Sequence, residues 1–150
     1  MNKLSLKGIV WGGIADILAS VILGLPVVTY VMVKLELAHT PKDQVPAAVH
    51  AALQGHTSLY ALQLAIGMAC SVLGGYVGAR LAKHDELLNG ALTSMLCVAL
   101  GIYSLATKTE SGSQFIEWAS FVLSPALGML GGYLRLAQNR RAAASEPIGV

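Results

Sequence analysis

Little in this sequence is charged. Asp, Glu, Lys and Arg make up 12% of its 150 residues, against about 25% in a soluble globular domain. With ten basic and eight acidic residues the net charge is +2, and the basic positions do not gather on one face. That argues against an electrostatic nucleic-acid binder. Cysteine is nearly absent: Cys70 and Cys97 lie inside apolar runs, which speaks against a disulfide framework. Catalytic signatures are missing as well. No Walker-type glycine loop, HExxH, CxxC or GxSxG occurs, and no Ser and His are spaced as a nucleophile–base pair. His39, His50 and His56 are eleven and six residues apart, which does not fit a compact metal motif. The expectation is a non-enzymatic protein with no catalytic residue, no metal and no cofactor.

What is present is hydrocarbon. Hydrophobic residues make up 55% of the chain and glycine contributes 16 positions; the mean hydropathy is +0.63. Four long apolar runs stand out: Ile9 to Val33, Leu59 to about Ala82, Leu87 to Ala106, and Phe115 to Leu136. Each reaches the roughly 20 residues a helix needs to cross about 30 Å of hydrocarbon. Each is also too long and too continuous for a barrel strand. Lys3 and Lys7 precede the first run as they would precede a signal peptide. The run is nevertheless longer than the usual h-region of about 7–15 residues, and it holds an acid. The expected fold is an all-α integral membrane protein: one domain, 1–150, forming a bundle of four transmembrane helices.

The connections between runs differ in kind. "KHDELLNG" reads as a tight turn, with Asp85 and Glu86 at the positive dipole end of the third span. Glu117 opens the fourth span in the same way, and "TKTESGSQ" is a short polar loop. The link 34–58 is longer. In it Thr40-Pro41-Lys42-Asp43 resembles a helix start. From Pro46 onward, either a short interfacial helix or an extension of the second span fits the pattern. Residues 137–150 read as a frayed tail.

With the N-terminus inside, Lys3, Lys7, Arg80, Lys83, Arg135, Arg140 and Arg141 fall on the inner side, and Lys34, Lys42 and Lys108 on the outer. The positive-inside rule therefore places both termini in the cytoplasm. Arg80, Lys83 and Arg135 become headgroup anchors at the inner interface. Trp11 marks that interface, and Tyr30 and Trp118 the outer one.

Small residues recur every fourth position. In the first run Gly8, Gly12, Asp16, Ser20 and Gly24 share one face. In the second and fourth, "SVLGGYVGARLAK" and "GMLGGYLRLAQ" share LGGY at an offset of 57, which carries Gly67, Ser71 and Gly75 onto Ser124, Gly128 and Gly132. Lipid supplies no hydrophobic drive between helices, so close approach at small residues holds them together. Two readings of the shared LGGY stand: a duplicated helical hairpin in a 2+2 arrangement, or a chance match in glycine-rich apolar sequence. Pro26 and Pro125 are expected to kink their spans.

Asp16 is the one acid inside the runs' apolar stretches. Nine residues separate it from Lys7, a depth of about 13–14 Å, near the bilayer centre. Ser71, Ser124, Ser94 and Cys97 fall at comparable depth, and no basic side chain does. A neutral acid, hydrogen-bonded to a Ser hydroxyl or a free carbonyl, is the expected form. Asp16, Gln63, Ser71 and Ser124 are the candidate intramembrane polar residues, as a proton- or cation-linked site or as interhelical hydrogen bonds.

The stretch "GGYVGARLAKHDELLNGALTS" resembles small four-helix bacterial inner-membrane proteins, in which a Gly-Gly-Tyr stretch and an Arg close one span. A short acidic turn follows, and Asn-Gly or His-Gly opens the next. The likeness covers about a quarter of the chain. It implies four spans in a bacterial inner membrane and transfers no functional residue. Two functions are expected from these readings. The first is helix–helix assembly in the bilayer, as a homo-oligomer or an accessory subunit of a larger membrane complex. The second is a small channel or transporter built on Asp16.

Overall fold

The structure, a computed structural model, describes residues 5–34, 36, 39–107 and 114–145, with side chains described except at 100, 101, 104–107, 114–121 and 145. The described residues form five helices: α1 (Leu6–Lys34), α2 (Val45–Gly55), α3 (Thr57–Ala82), α4 (Glu86–Thr107) and α5 (Gln114–Ser145). Two of them, α1 and α3, are long and apolar enough to cross a membrane, with mean hydropathy of 2.1 and 1.5 over their most apolar windows. The dipole role expected of the Glu117 side chain, the anchor role expected of the Trp118 side chain, the positions of Lys3 and Lys108, and the loop 108–113 lie outside the described residues.

Antiparallel α1 and α3 form one tightly packed pair and antiparallel α4 and α5 another; α3 also packs on α5, and α4 on both α1 and α3. These contacts are made backbone to backbone. A Cβ added at Gly12 would lie 2.8 Å from the Gly74 carbonyl oxygen and from the Gly78 Cα, and one at Gly8 would lie 2.7 Å from the Gly78 carbonyl oxygen. No side chain fits such gaps, so the glycines set the interhelical distance. Where α3 meets α5, a Cβ at Gly75 would strike Gly128, and one at Gly131 would strike Val72 and Tyr76. Between α4 and α5, Gly90 faces Gly128 and Gly132, and Gly132 faces the Glu86 carbonyl.

The Gly-Gly doublets explain how one helix serves two neighbours. Adjacent residues on a helix point about 100° apart. Gly74 therefore opens α3 toward α1 and Gly78 toward Thr93 of α4 and Gly8 of α1, while Gly75 opens it toward α5. On α5, Gly131 faces α3 while Gly128 and Gly132 face α4. This corrects the single-stripe reading of α3. Gly67 belongs to no helix contact, since a Cβ there would meet nothing within 4 Å. Ser20 is exposed rather than packed, and Gly24 makes only ordinary contact, 3.7 Å from the Gln63 Nε2.

The interior is small and polar. The largest side chains under 2% exposed are Val31, Asn89, Thr93, Cys70 and Ser94, while leucines, isoleucines and valines of α1 such as Val10, Ile17, Leu18 and Ile22 lie on the surface. Asn89 ties the ends together: its Oδ1 accepts from the Ser5 amide at 3.0 Å, and its Nδ2 donates to the His84 and Asp85 carbonyls at 2.9 and 3.1 Å. Thr93 Oγ1 donates to the Asn89 carbonyl one turn back.

Two boundaries differ from the sequence expectation. Thr40–Asp43 does not open a helix: the Gln44 amide donates to the Pro41 carbonyl in a turn, and α2 starts at Val45 with proline in its first turn. Residues 137–145 are not a frayed tail but the last turns of α5. Tyr76 Oη donates to Gln138 Oε1 at 2.7 Å, and Asn139 Nδ2 donates to Glu86 Oε1 at 3.1 Å, fastening that extension to α3 and α4. Its Ala-Arg composition favours helix in any case. α2 is separate from α3, divided by His56 in an extended conformation (φ −120°, ψ 95°). Its Val49 and Leu53, one turn apart, bury against Val27 and Val31 of α1.

Candidate functional site

On α1 the i, i+4 spacing of Gly12, Asp16 and Ser20 aims all three in one direction. Gly12 and its α3 counterpart Gly74 bring the two backbones together, and Asp16 lies immediately beyond that crossing. A Cβ on Gly74 would be 2.6 Å from the Asp16 Cβ, so the missing side chain of Gly74 is the space that Asp16 occupies. Asp16 is 4% exposed. Cys97, on α4, and Ser20, one turn along its own helix, share its surroundings in one cavity lining.

Past the crossing the helices diverge and leave a cavity of about 510 Å³ lined from α1, α3, α4 and α5. Its polar groups are Asp16, Ser20, Tyr60, Gln63, Ser71, Cys97 and Ser124; the remaining lining is apolar apart from Gly67. The four polar residues singled out in the sequence, Asp16, Gln63, Ser71 and Ser124, therefore line one cavity. Helical depth counting explains three of them: Asp16, Ser71 and Ser124, at similar distance from the inner ends of their helices, come to the same level, while Gln63 lies two turns further along α3. Ser94, at similar depth, lies elsewhere, buried against Gly128 between α4 and α5. Gln63 Oε1 is buried without a hydrogen-bond partner. Gly67 contributes no packing but volume, since its bare backbone faces the cavity.

Among the described residues no basic side chain lines the cavity. Arg80 and Lys83 are exposed at the far end of α3, and Arg135 is half-buried ten residues before the end of α5. Lys83 also terminates α3 in a left-handed conformation (φ 60°), its amide donating to the Ala79 carbonyl. Among the described residues no group of three or more His, Cys, Asp or Glu is placed to hold a metal ion. Both cysteines are free thiols. The site thus offers one carboxyl, one thiol, four hydroxyls and one amide inside apolar walls, an arrangement suited to holding a ligand by few polar contacts and much hydrocarbon.

Sequence reasoning missed Gly74, Gly78 and Gly131, which set the helix distances, and the buried polar residues Asn89 and Thr93. The doublets in LGGY were the available signal, because two adjacent glycines serve two faces rather than one stripe. Asn89 followed by Gly90 was a second signal, a polar residue placed beside a point of close approach.

The fold and site define an all-helical protein with two helices able to span a membrane and a carboxyl-bearing cavity that is partly open at its exposed lining residues Ile17, Val21, Gly67 and Leu123. No known protein family, characterised protein or solved structure matches the chain.

Proposed function

We propose that this is a small transporter of the bacterial inner membrane, using Asp16 as a proton- or cation-linked site. In this reading α1, α3, α4 and α5 are four spans, both termini are cytoplasmic, and the α1/α3 and α4/α5 hairpins descend from one duplicated unit. Support for a lipid environment comes from the reversed distribution of residues, with small and polar groups inside and large apolar groups outside. Support for the orientation comes from the basic residues at one end. Lys7, Arg80, Lys83 and Arg135 all lie on the side where Ser5 meets Asn89. Both hairpins cross at glycines, Gly12 with Gly74 and Gly90 with Gly128.

The observation that carries the function is the cavity of about 510 Å³ assembled from four helices around a buried acid. An intramembrane acid facing a cavity is by default a functional group. The other expectation, assembly into a homo-oligomer or larger complex, drew on the glycine faces. Apart from Gly67, those glycines contact helices of the same chain, which moves the weight to the cavity.

The test is flux. Proteoliposomes carrying the wild-type protein should pass protons or monovalent cations under an imposed potential, and Asp16→Asn should abolish this while keeping its helix content. Equal flux in the two proteins would contradict the proposal.

A further inference from the structure

We infer that the cavity binds a lipophilic organic monocation in exchange for the Asp16 proton; this rests on the transporter reading and names the class of its ligand.

Charge comes first. Asp16 is the acid of the cavity and no basic residue lines it. Among the described residues the other titratable groups facing it are Tyr60 from α3 and Cys97 from α4, while α5 contributes Leu123, Ser124 and Leu127, none of which titrates in the ordinary range. Among the described residues an ionised Asp16 therefore has no cation in the cavity to balance it. Either a proton or a bound cation must do so, because an unpaired charge in apolar surroundings is costly. An anionic ligand would meet the carboxyl with nothing to neutralise either group.

Hydrogen-bonding capacity points the same way. Gln63 Oε1 is a buried acceptor with no partner, and it stands in the same lining as Asp16. Acceptors without donors suit a cation or an N–H group.

The walls then choose among cations. Ile17, Val21, Leu64, Met68, Val98 and Leu127 present hydrocarbon. A small metal ion requires several oxygen ligands to replace its water and favours charged ones; the cavity offers one carboxyl, and no cluster of three His, Cys, Asp or Glu exists among the described residues. A hydrocarbon-bodied ammonium gains from burial against those walls and needs only one counter-charge. The volume, about 510 Å³, lies inside the roughly 300–1,000 Å³ typical of small-molecule sites.

The exchange involves no redox step. The Asp16 O–H bond breaks heterolytically, the electron pair stays on the carboxylate oxygen, and the proton leaves to water. The ligand's fixed positive charge then balances the carboxylate.

Benzyltrimethylammonium is a suitable probe, with neopentylbenzene as its uncharged isostere. The full-length protein in phosphatidylcholine nanodiscs, titrated calorimetrically in buffers of different ionisation enthalpy, reads both affinity and proton release. The expected result is saturable binding of one cation per chain with close to one proton released. Affinity should fall about tenfold for each unit of pH below the point where the site ionises, since proton and cation compete. The isostere should bind at least tenfold more weakly. Asp16→Asn and Gly67→Leu should each lose binding at least tenfold. The second variant leaves the carboxyl in place and fills open space, so it remains informative if the first unfolds.

Equal affinity for the isostere, binding without proton release, or full affinity in Gly67→Leu would overturn the inference. Asp16-dependent flux with no binding of this cation overturns it and leaves the transporter reading standing. Cation binding without any Asp16-dependent flux upholds it and removes transport. Loss of both removes both.

Discussion

At the scale of single residues, glycines of the same helix have opposite duties. Gly75 lies where a Cβ would strike the Gly128 backbone, whereas Gly67 faces open space. Gly75→Ala must push α3 and α5 apart and is expected to cost about 1–3 kcal/mol, as overpacking does. Gly67→Ala meets nothing and should gain up to about 1 kcal/mol from helix propensity alone. Reversible unfolding in mixed micelles by rising SDS fraction measures both; similar destabilisation by the two would contradict the packing described. Asn89 is the second test at this scale. Its amide satisfies the Ser5 amide and the carbonyls of His84 and Asp85. Asn89→Ala strands those groups, and about 1–3 kcal/mol of stability should be lost in the same assay.

At the scale of elements, the apolar runs made the helices legible, because length and continuity are enough to mark them. The ends were less legible. α5 continues to Ser145 because its Ala-Arg composition favours helix and because Gln138 and Asn139 find partners on α3 and α4, and no local pattern of "AQNRRAAAS" announces those partners. Proline misled at Thr40-Pro41, where it closes a turn, and Pro46 sits in the first turn of α2 instead. The candidate polar site was more legible than the packing. Depth counted from the basic ends places Asp16, Ser71 and Ser124 level, but whether a glycine faces a neighbour or a cavity depends on helix rotation, which periodicity alone does not supply. Gly67 and Gly75 illustrate the difference.

Two element-scale outcomes follow from the same contacts. α2 is held by Val49 and Leu53 against α1, so Leu53→Ala should cost about 2 kcal/mol, the low end for a buried leucine. Hydrogen exchange should quicken in α2 and leave α4 unchanged. The α3 terminus carries Lys83 at φ 60°, a left-handed position that glycine occupies without strain. Lys83→Gly should therefore raise the SDS unfolding midpoint, by about 0.5–1 kcal/mol.

At the scale of the whole molecule, one arrangement ties these features together. Glycines draw four helices together near one end, where Asn89 and Thr93 satisfy the buried backbone. Beyond the crossing the helices separate, and the cavity opens at the level of Asp16. The close approach and the cavity are thus two consequences of where side chains are withheld. Gly74 gives up its side chain to Asp16, and Gly67 gives up its side chain to the cavity.

Filling that space without altering its chemistry is the most direct test of the account. Flux through proteoliposomes should be measured for the wild-type protein and for Gly67→Leu, with SDS unfolding of both as the control for fold. The account predicts flux in the wild type and none in Gly67→Leu, with the variant at least as stable. Undiminished flux in a correctly folded Gly67→Leu would contradict it.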